Sequence, residues 1–208
     1  QLMLDAQQLD IPAVGGLGML VGQAKAAAEL FLGKTLESGL AAAITREIRN
    51  ETENMVLIGM PGCGKSTVGR ALADRTGRRL GGIDQELEQE LGCAIPDFFA
   101  QKGEAAFRQA ESEMLARFCR ESGLVIACGG GAVTVPENID VMRQNGRLVY
   151  LRRPLEELPT EGRPVSRSRP LEELFAQRRP LYESAADLTV DNVQVEQAAA
   201  DIWKEWTR

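Results

Sequence analysis

The sequence predicts an α/β fold, in which helices cover both faces of a parallel sheet. From Met55 onward, short apolar runs alternate with longer stretches of helical periodicity, as in repeated strand–helix units. The motif GMPGCGKS follows the first apolar run directly, beginning at Gly59. Glycines at this spacing, followed by Lys and Ser, are typical of a loop that binds phosphate groups. We therefore predict a three-layer α/β domain that is preceded by a helical segment.

The individual elements follow from hydrophobic periodicity and from the Gly, Pro and charged residues that interrupt it. In the first segment, Gly33 can close a helix over 21–32, a second helix covers 36–49, and the polar stretch 49–54 is a junction. Strands are predicted over 55–58, 79–83, 124–127, 147–151 and 188–190. Helices are predicted over 65–76, 84–91, 95–101, 104–121, 137–144, 171–184 and 195–206.

The composition excludes several classes of protein. A net charge of -6 argues against nucleic acid as a partner, because affinity for the phosphate backbone requires clustered Lys and Arg. Because there is no apolar run of membrane-spanning length and no signal segment, we expect no membrane association and a cytoplasmic location. The chain has no His, and its cysteines lack C-x-x-C spacing, so neither a zinc site nor a disulfide framework is expected. The four cysteines, which we expect to be mostly buried, are Cys63, Cys93, Cys119 and Cys128.

The phosphate-binding loop supplies the first set of candidate residues. Its glycines let backbone N–H groups approach phosphate oxygens, and the positive end of the next helix faces the anion. Lys65 adds a cation for the β- and γ-phosphates, and the hydroxyl of Ser66 can bind Mg²⁺. The residues predicted to bind the nucleotide phosphates are Gly62, Cys63, Gly64, Lys65, Ser66 and Thr67.

Asp84 and the pair Arg108 and Glu111 are candidates for binding an acceptor. Asp84 follows the second predicted strand, at the edge where open α/β sheets bind ligands, and can accept a hydrogen bond from a substrate hydroxyl. It can also serve as the N-cap of the helix over 85–91, and one residue can do both. Arg108 and Glu111 are one helical turn apart. They form either a solvated surface ion pair or a rigid guanidinium that grips a ligand carboxylate.

Two further stretches combine unusual backbone or charge patterns. Gly129, Gly130 and Gly131 follow an apolar strand, and three consecutive glycines are costly unless the backbone must approach something closely. Residues 152–180 contain several arginines flanked by Gly, Pro and Ser, including Arg163 in the sequence GRP. This pattern indicates a loop that closes over phosphates, or alternatively a solvated linker.

Residues 55–208 resemble the shikimate kinases. The motifs in common, in the order of that family, are GMPGCGKSTVGR, IDQELEQELG, IPDFFAQKGEAAFRQAE, GGGAV, GRPVS and RRPLY. The resemblance implies a three-layer P-loop kinase with a parallel sheet that uses ATP and Mg²⁺. It implies that Lys65 and Ser66 bind the ATP phosphates and Mg²⁺, and that Arg163 of a mobile lid reaches the transferred phosphate. The residues that it implies for shikimate are Asp84 at the reacting hydroxyl, Arg108 and Arg178 at the carboxylate, and Gly130 and Gly131.

The chain departs from the pattern of this family at three places. Gly82 stands where the family usually has the first of two acidic residues after the second strand. After the last strand, residues 192–194 include no Arg that could lie against the adenine. The segment over 151–163 is short for the family, which trims the stem of the lid.

Residues 1–50 carry a second resemblance. The stretch PAVGGLGMLVGQAKAAAELFLG is similar to the C-terminal end of shikimate dehydrogenases, whose catalytic Lys and Asp and dinucleotide-binding glycine motif are absent here. The alternative is a plain helical hairpin. The apolar stripe of its first helix comprises Leu17, Leu20, Val21, Ala24, Ala27, Ala28 and Phe31. We expect this stripe to dock on another surface or to pair with a second copy, with no part in phosphoryl transfer.

The sequence thus favours transfer of the γ-phosphoryl group of ATP to the 3-hydroxyl of shikimate, a step of aromatic amino acid (chorismate) biosynthesis in the family it resembles. One alternative is a kinase for another small hydroxy acid such as gluconate, which need not have both Arg108 and Arg178 together with Asp84. Another is a nucleotide-binding regulatory module that transfers no phosphate, which Gly82 and the short lid favour.

Overall fold

The computed structural model describes residues 5–6, 9–13, 15–158 and 170–208. The chain divides into two compact units, Gln1–Thr52 and Glu53–Arg208. In the part of the chain that is described, no helix is both long enough and apolar enough to cross a membrane.

In the described part of the first unit, the helices α1 (Leu17–Leu32) and α2 (Leu40–Thr52) pack against each other. Helix α1 ends at Gly33, which adopts a left-handed φ of 63° as predicted. The predicted start of α2 at residue 36 is wrong, because the backbone N–H of Leu36 instead donates a hydrogen bond of 2.8 Å to the Glu29 carboxylate. The boundary between the two units, after Thr52, falls within the predicted polar junction over 49–54, where α2 continues to Thr52 and a strand begins at Asn54.

The second unit is built on a five-stranded parallel sheet, which confirms the predicted fold class. The strands are β1 (Asn54–Ile58), β2 (Leu80–Gly82), β3 (Val125–Ala127), β4 (Gly146–Arg152) and β5 (Leu188–Asp191). Their order is β2-β3-β1-β4-β5. All residues of β1 are buried, so both faces of the central strand are covered. This order brings the carboxyl ends of β2, β3 and β1 side by side.

Six α-helices accompany the sheet in the described part of this unit. They are α3 (Lys65–Thr76), α4 (Ile83–Leu91), α5 (Ile95–Cys119), α6 (Pro136–Gln144), α7 (Leu171–Ala185) and α8 (Val195–Trp206). Helix α3 packs against α8, and α5 packs against both α4 and α6. The two helices predicted over 95–101 and 104–121 form the single element α5, which is interrupted at Gly103, where φ is 81° and ψ is 171°. The interruption therefore lies where the sequence predicted it.

Buried polar and sulfur-containing side chains add detail to the core. Three of the four cysteines are buried, as expected, and Cys93 is half-buried. At the amino end of β1, Asn54 is fully buried, and its side-chain Nδ2 donates a hydrogen bond of 2.8 Å to the carbonyl oxygen of Glu121. Its Oδ1 accepts one of 2.8 Å from the backbone N–H of Leu124. These bonds fix the starts of β1 and β3 relative to each other.

Candidate functional site

The phosphate-binding loop joins β1 to α3 at the carboxyl edge of the sheet. Gly59, Gly62 and Gly64 have φ values of 145°, 81° and 96°, which side-chain-bearing residues rarely adopt. Lys65 is buried, and its Nζ donates hydrogen bonds of 2.9 Å to the carbonyl oxygens of Gly59 and Met60. The loop thus encloses the side chain of Lys65, and the positive charge of Lys65 lies at the base of the loop.

The first turn of α3 completes an anion-binding end. Ser66 and Thr67 are exposed there, and the turn contains no acidic residue. Because the first N–H groups of a helix have no partners within the helix, they attract negative charge. The local geometry therefore suits a phosphate group.

A cavity of about 530 Å³ opens beside this loop. Ten of the eleven predicted site residues that the structure describes line it: Gly62, Gly64, Lys65, Ser66, Thr67, Asp84, Arg108, Gly130, Gly131 and Arg178. The other one, Cys63, is buried in the loop. Arg163 lies outside the described residues.

Asp84 lines the cavity from the carboxyl end of β2. The interpretation of Asp84 as a helix N-cap is wrong, because α4 begins at Ile83 and its N-cap position is held by Gly82. The helix begins earlier than predicted, which places Asp84 inside its first turn. The Asp84 side chain points towards Gly129 of the neighbouring strand end. Asp84 is therefore part of the wall of the cavity.

Each of the three consecutive glycines after β3 is approached by a different group. A methyl group on Gly129 would lie 2.2 Å from Oε1 of Glu111 and 2.8 Å from Oδ1 of Asp84. One on Gly130 would lie 2.8 Å from the backbone nitrogen of Pro61, and one on Gly131 would lie 2.2 Å from Nη2 of Arg108. The structure confirms that close approach, rather than a tight turn alone, requires the triple glycine.

Arg108 and Glu111 form an ion pair at the wall of the cavity, with 2.5 Å between Arg108 Nη1 and Glu111 Oε2. The surface-pair alternative is wrong, since the side chains are only 14% and 1% exposed. Burial raises the pKa of Glu111; Arg108 acts in the opposite direction, and Asp84 adds to the increase. Oε1 of Glu111 and Nε of Arg108 are buried without a hydrogen-bond partner among the described residues.

Helix α7 contributes Arg178 and Tyr182, which lie one turn apart. Arg178 is buried, and its Nη1 donates a hydrogen bond of 3.3 Å to the carbonyl oxygen of Gly130. The hydroxyl of Tyr182 donates to the same oxygen, and its ring stacks on Tyr150 with the ring centroids 5.2 Å apart. Burial raises the pKa of Tyr182, so its hydroxyl stays protonated and can donate. Tyr182 is the last residue of the RRPLY motif, and the motif alone does not predict this hydrogen bond.

A phosphate-binding loop on the central strand of a parallel sheet, opening on a polar cavity, defines a P-loop nucleotide-binding protein. The family can be stated more narrowly. The chain belongs to the shikimate kinase family, because the sequence model of that family matches residues 61–207.

Individual relatives agree with this assignment. The chain is 46% identical over 105 residues to a shikimate kinase of Nitrosomonas europaea, and this alignment covers 50% of each chain. It is 46% identical over 103 residues to one of Persephonella marina, which covers 50% of this chain and 63% of that protein. These matches thus span only about half to two thirds of the curated relatives' length.

Solved structures match over a larger share of the chain. A shikimate kinase of Acinetobacter baumannii in complex with shikimate superimposes with a TM-score of 0.68 at 31% identity, over 77% of this chain and 96% of that one. One from Aquifex aeolicus gives a TM-score of 0.66 at 31% identity, over 73% and 94% of the two chains.

Proposed function

We propose that the protein transfers the γ-phosphoryl group of ATP to the 3-hydroxyl of shikimate and so forms shikimate 3-phosphate. The observation that carries this proposal is that an anion-binding loop shares one cavity with two arginines and an aspartate, Arg108, Arg178 and Asp84. Nucleotide phosphates suit the loop, and a small acid with hydroxyl groups suits the other three side chains. The shikimate-bound relative from Acinetobacter baumannii supports the choice of acid.

On the acceptor side, Arg108 and Arg178 bind the carboxylate of shikimate. Glu111 holds one edge of the Arg108 guanidinium, which leaves the planar group oriented towards the ligand. Asp84 accepts a hydrogen bond from the reacting hydroxyl and takes its proton as the new P–O bond forms. The bond from the γ-phosphorus to the β,γ-bridging oxygen breaks in the same step, and ADP leaves with that oxygen. The backbone of Gly130 and Gly131 lies against the ring, and the absence of side chains there lets Pro61 and Arg108 pack against this backbone.

On the donor side, the loop from Gly59 to Gly64 and the first turn of α3 hold the ATP phosphates. Lys65 turns from the loop carbonyls to the β- and γ-phosphates and neutralises the charge that moves between them. Mg²⁺ fits this site through the Ser66 hydroxyl, phosphate oxygens and water, and when bound it supplies further charge neutralisation. No group of three or more His, Cys, Asp or Glu side chains in the described part of the chain could hold a metal ion. A metal held largely by the nucleotide is consistent with this.

The lid role of Arg163 stays a prediction from the sequence, since this residue lies outside the described part of the chain. In that role Arg163 adds positive charge at the transferred phosphoryl group and helps to exclude water.

The test is ADP release with ATP, Mg²⁺ and either shikimate or gluconate, with the product identified by phosphorus NMR. We expect turnover with shikimate and none with gluconate. The product should carry a phosphate ester at the 3-hydroxyl of shikimate. Turnover with gluconate instead would support a kinase for another hydroxy acid. Tight ATP binding with no turnover on either acid would support a regulatory module.

We further propose that residues 1–50 are the C-terminal end of a shikimate dehydrogenase-like unit and that their apolar face docks on another surface or on a second copy. The supporting observation is that several large apolar side chains of α1 are exposed, including Leu20 at 62% and Phe31 at 92%. Isolated apolar residues are ordinary at a surface, but a cluster on one short helix favours association.

Deletion of residues 1–50 tests the role of this segment. We expect the truncated protein to keep its shikimate-dependent turnover and to lose any self-association, measured by sedimentation. A truncated protein that is folded but inactive would show instead that the segment completes the active site.

A further inference from the structure

We propose that Asn192, at the end of β5, is a positioning residue that holds the phosphate-binding loop in its nucleotide-binding conformation. This inference rests on the proposed function only in that the loop binds a nucleotide. Asn192 lies outside the loop motif, in the stretch over 192–194 that contains no arginine.

The backbone fixes Asn192 before its side chain acts. The N–H group of Asn192 donates a hydrogen bond of 2.8 Å to the carbonyl oxygen of Arg152, which extends the pairing of β4 with β5 by one residue. The residue is only 2% exposed. Its side chain is therefore held inside the protein rather than in solvent.

The side chain contacts the loop at two adjacent residues. Nδ2 of Asn192 donates a hydrogen bond of 2.6 Å to the carbonyl oxygen of Cys63, in a buried position. A methyl group on Gly64 would lie 2.3 Å from the same Nδ2 atom. The absence of a side chain at Gly64 is thus required twice, by its φ of 96° and by the amide that rests against it.

The carbonyl of Cys63 and the N–H of Gly64 belong to one peptide unit. Because a trans peptide is planar, its N–H points away from its C=O. Holding the carbonyl on Asn192 therefore turns the Gly64 N–H away from Asn192, and Gly64 lines the cavity on the other side. Loop N–H groups bind an anion well only when they are oriented before it arrives. Asn192 supplies that orientation for one of them.

The side-chain amide of Asn192 is suited to holding the Cys63 carbonyl because it is an uncharged donor. A carboxylate of the same size would present an acceptor to the Cys63 carbonyl and would add a negative charge near the phosphates. Asn192→Asp keeps the shape of the side chain, so it tests the donor rather than the packing. Asn54→Asp is the matched control, because Asn54 is also buried and also donates to a backbone carbonyl, but at the amino end of β1.

The experiment measures binding of ADP with Mg²⁺, and separately of shikimate, by calorimetry on the full chain. For Asn192→Asp we expect ADP affinity to fall at least roughly fivefold, which is the size of effect from one lost hydrogen bond to a buried group. Shikimate affinity should stay as in the wild type. Burial at this position should raise the pKa of the new carboxyl group above its usual value of about 3.9. Lowering the pH from about 8 to about 5.5 should therefore restore ADP binding relative to the wild type, because a protonated Asp can donate. Asn54→Asp should lower the melting temperature without changing ADP affinity.

Equal ADP affinity of the wild type and Asn192→Asp would overturn the proposal, and so would equal losses of ADP and shikimate binding. A wild-type protein that binds ADP, loses this binding in Asn192→Asp and does not phosphorylate shikimate would support the proposal while the proposed function fails. Normal shikimate turnover of the wild type, together with unchanged ADP affinity in Asn192→Asp, would overturn the proposal while the proposed function stands.

Discussion

The hydroxyl of Tyr182 donates a hydrogen bond of 2.5 Å to the carbonyl oxygen of Gly130. Arg178 donates to the same oxygen from one turn earlier in α7, at 3.3 Å. The middle of residues 129–131, the glycine loop, is thus fixed by a helix that lies later in the chain. The same hydrogen bond holds Arg178 next to this loop.

Tyr182→Phe removes the hydroxyl and keeps the ring stacked on Tyr150. We expect shikimate to bind more weakly and ADP to bind unchanged, because the glycine loop contributes to the acceptor side. The free energy of unfolding should fall by about 1 kcal/mol, since Arg178 still bonds the Gly130 carbonyl. Calorimetry and urea unfolding measure the two effects. Tyr150→Phe is the control for loss of a hydroxyl from the same ring pair, and an equal loss of ADP affinity would contradict the assignment.

Lys65→Ala removes the cation at the base of the phosphate-binding loop. We expect turnover to fall by at least about two powers of ten, as when one preorganised charge-stabilising group is lost. The protein should remain folded by circular dichroism. Lys102→Ala, at an exposed position of α5, is the control and should keep its turnover. Near-normal phosphoryl transfer in Lys65→Ala would exclude the proposed role of Lys65.

Arg108→Lys keeps the positive charge and removes the planar guanidinium. Shikimate affinity should fall and ATP affinity should change little, because only the carboxylate requires a bidentate donor. Arg117→Lys is a matched control, since Arg117 lies on the same helix in an exposed pair with Glu90. If calorimetry showed ATP and shikimate affinities falling together in Arg108→Lys, Arg108 would belong to the nucleotide side or to the fold.

Glu111→Gln tests the charge buried behind Arg108. Burial raises the folded-state pKa of Glu111, so as the pH rises above about 4.5 the unfolded chain loses this proton first. Ionisation of Glu111 therefore lowers stability as the pH rises from there through the folded-state pKa. Gln cannot ionise and so avoids this loss. We therefore expect the free energy of unfolding of Glu111→Gln to increase relative to that of the wild type as the pH rises from about 4 to about 7.

Urea unfolding across this pH range measures the effect. Glu113→Gln is the control for loss of one carboxylate from an exposed position of the same helix. A relative loss of stability in Glu111→Gln as the pH rises would mean that the ion pair with Arg108 outweighs burial.

Patterns that are local in sequence predicted much of the fold and most of the site. The phosphate-binding loop follows from one motif, and the need for close approach at the glycine triplet follows from its cost. The helix boundaries that failed depend on neighbours that periodicity does not show. Glu29 holds Leu36 outside α2, and Gly82 occupies the cap position that was a candidate role for Asp84.

The groups that approach the glycines could not be predicted in the same way. Glu111 and Arg108 come from α5 and Pro61 from the phosphate-binding loop, and only the strand order brings them together. The bond from Asn192 to Cys63 joins residues 129 positions apart, and no local pattern marks Asn192 as a partner of the loop.

Gly130 lies directly against Pro61, with no side chain of its own between them. The glycine loop and the phosphate-binding loop therefore form one continuous wall. In the proposed function both ligands lie in the cavity that Gly130 and Pro61 line, so both can contact this wall. When the first ligand orders the wall, the second loses less conformational entropy on binding. This coupling free energy acts equally in both directions, so nucleotide and acid should each strengthen the binding of the other by the same factor.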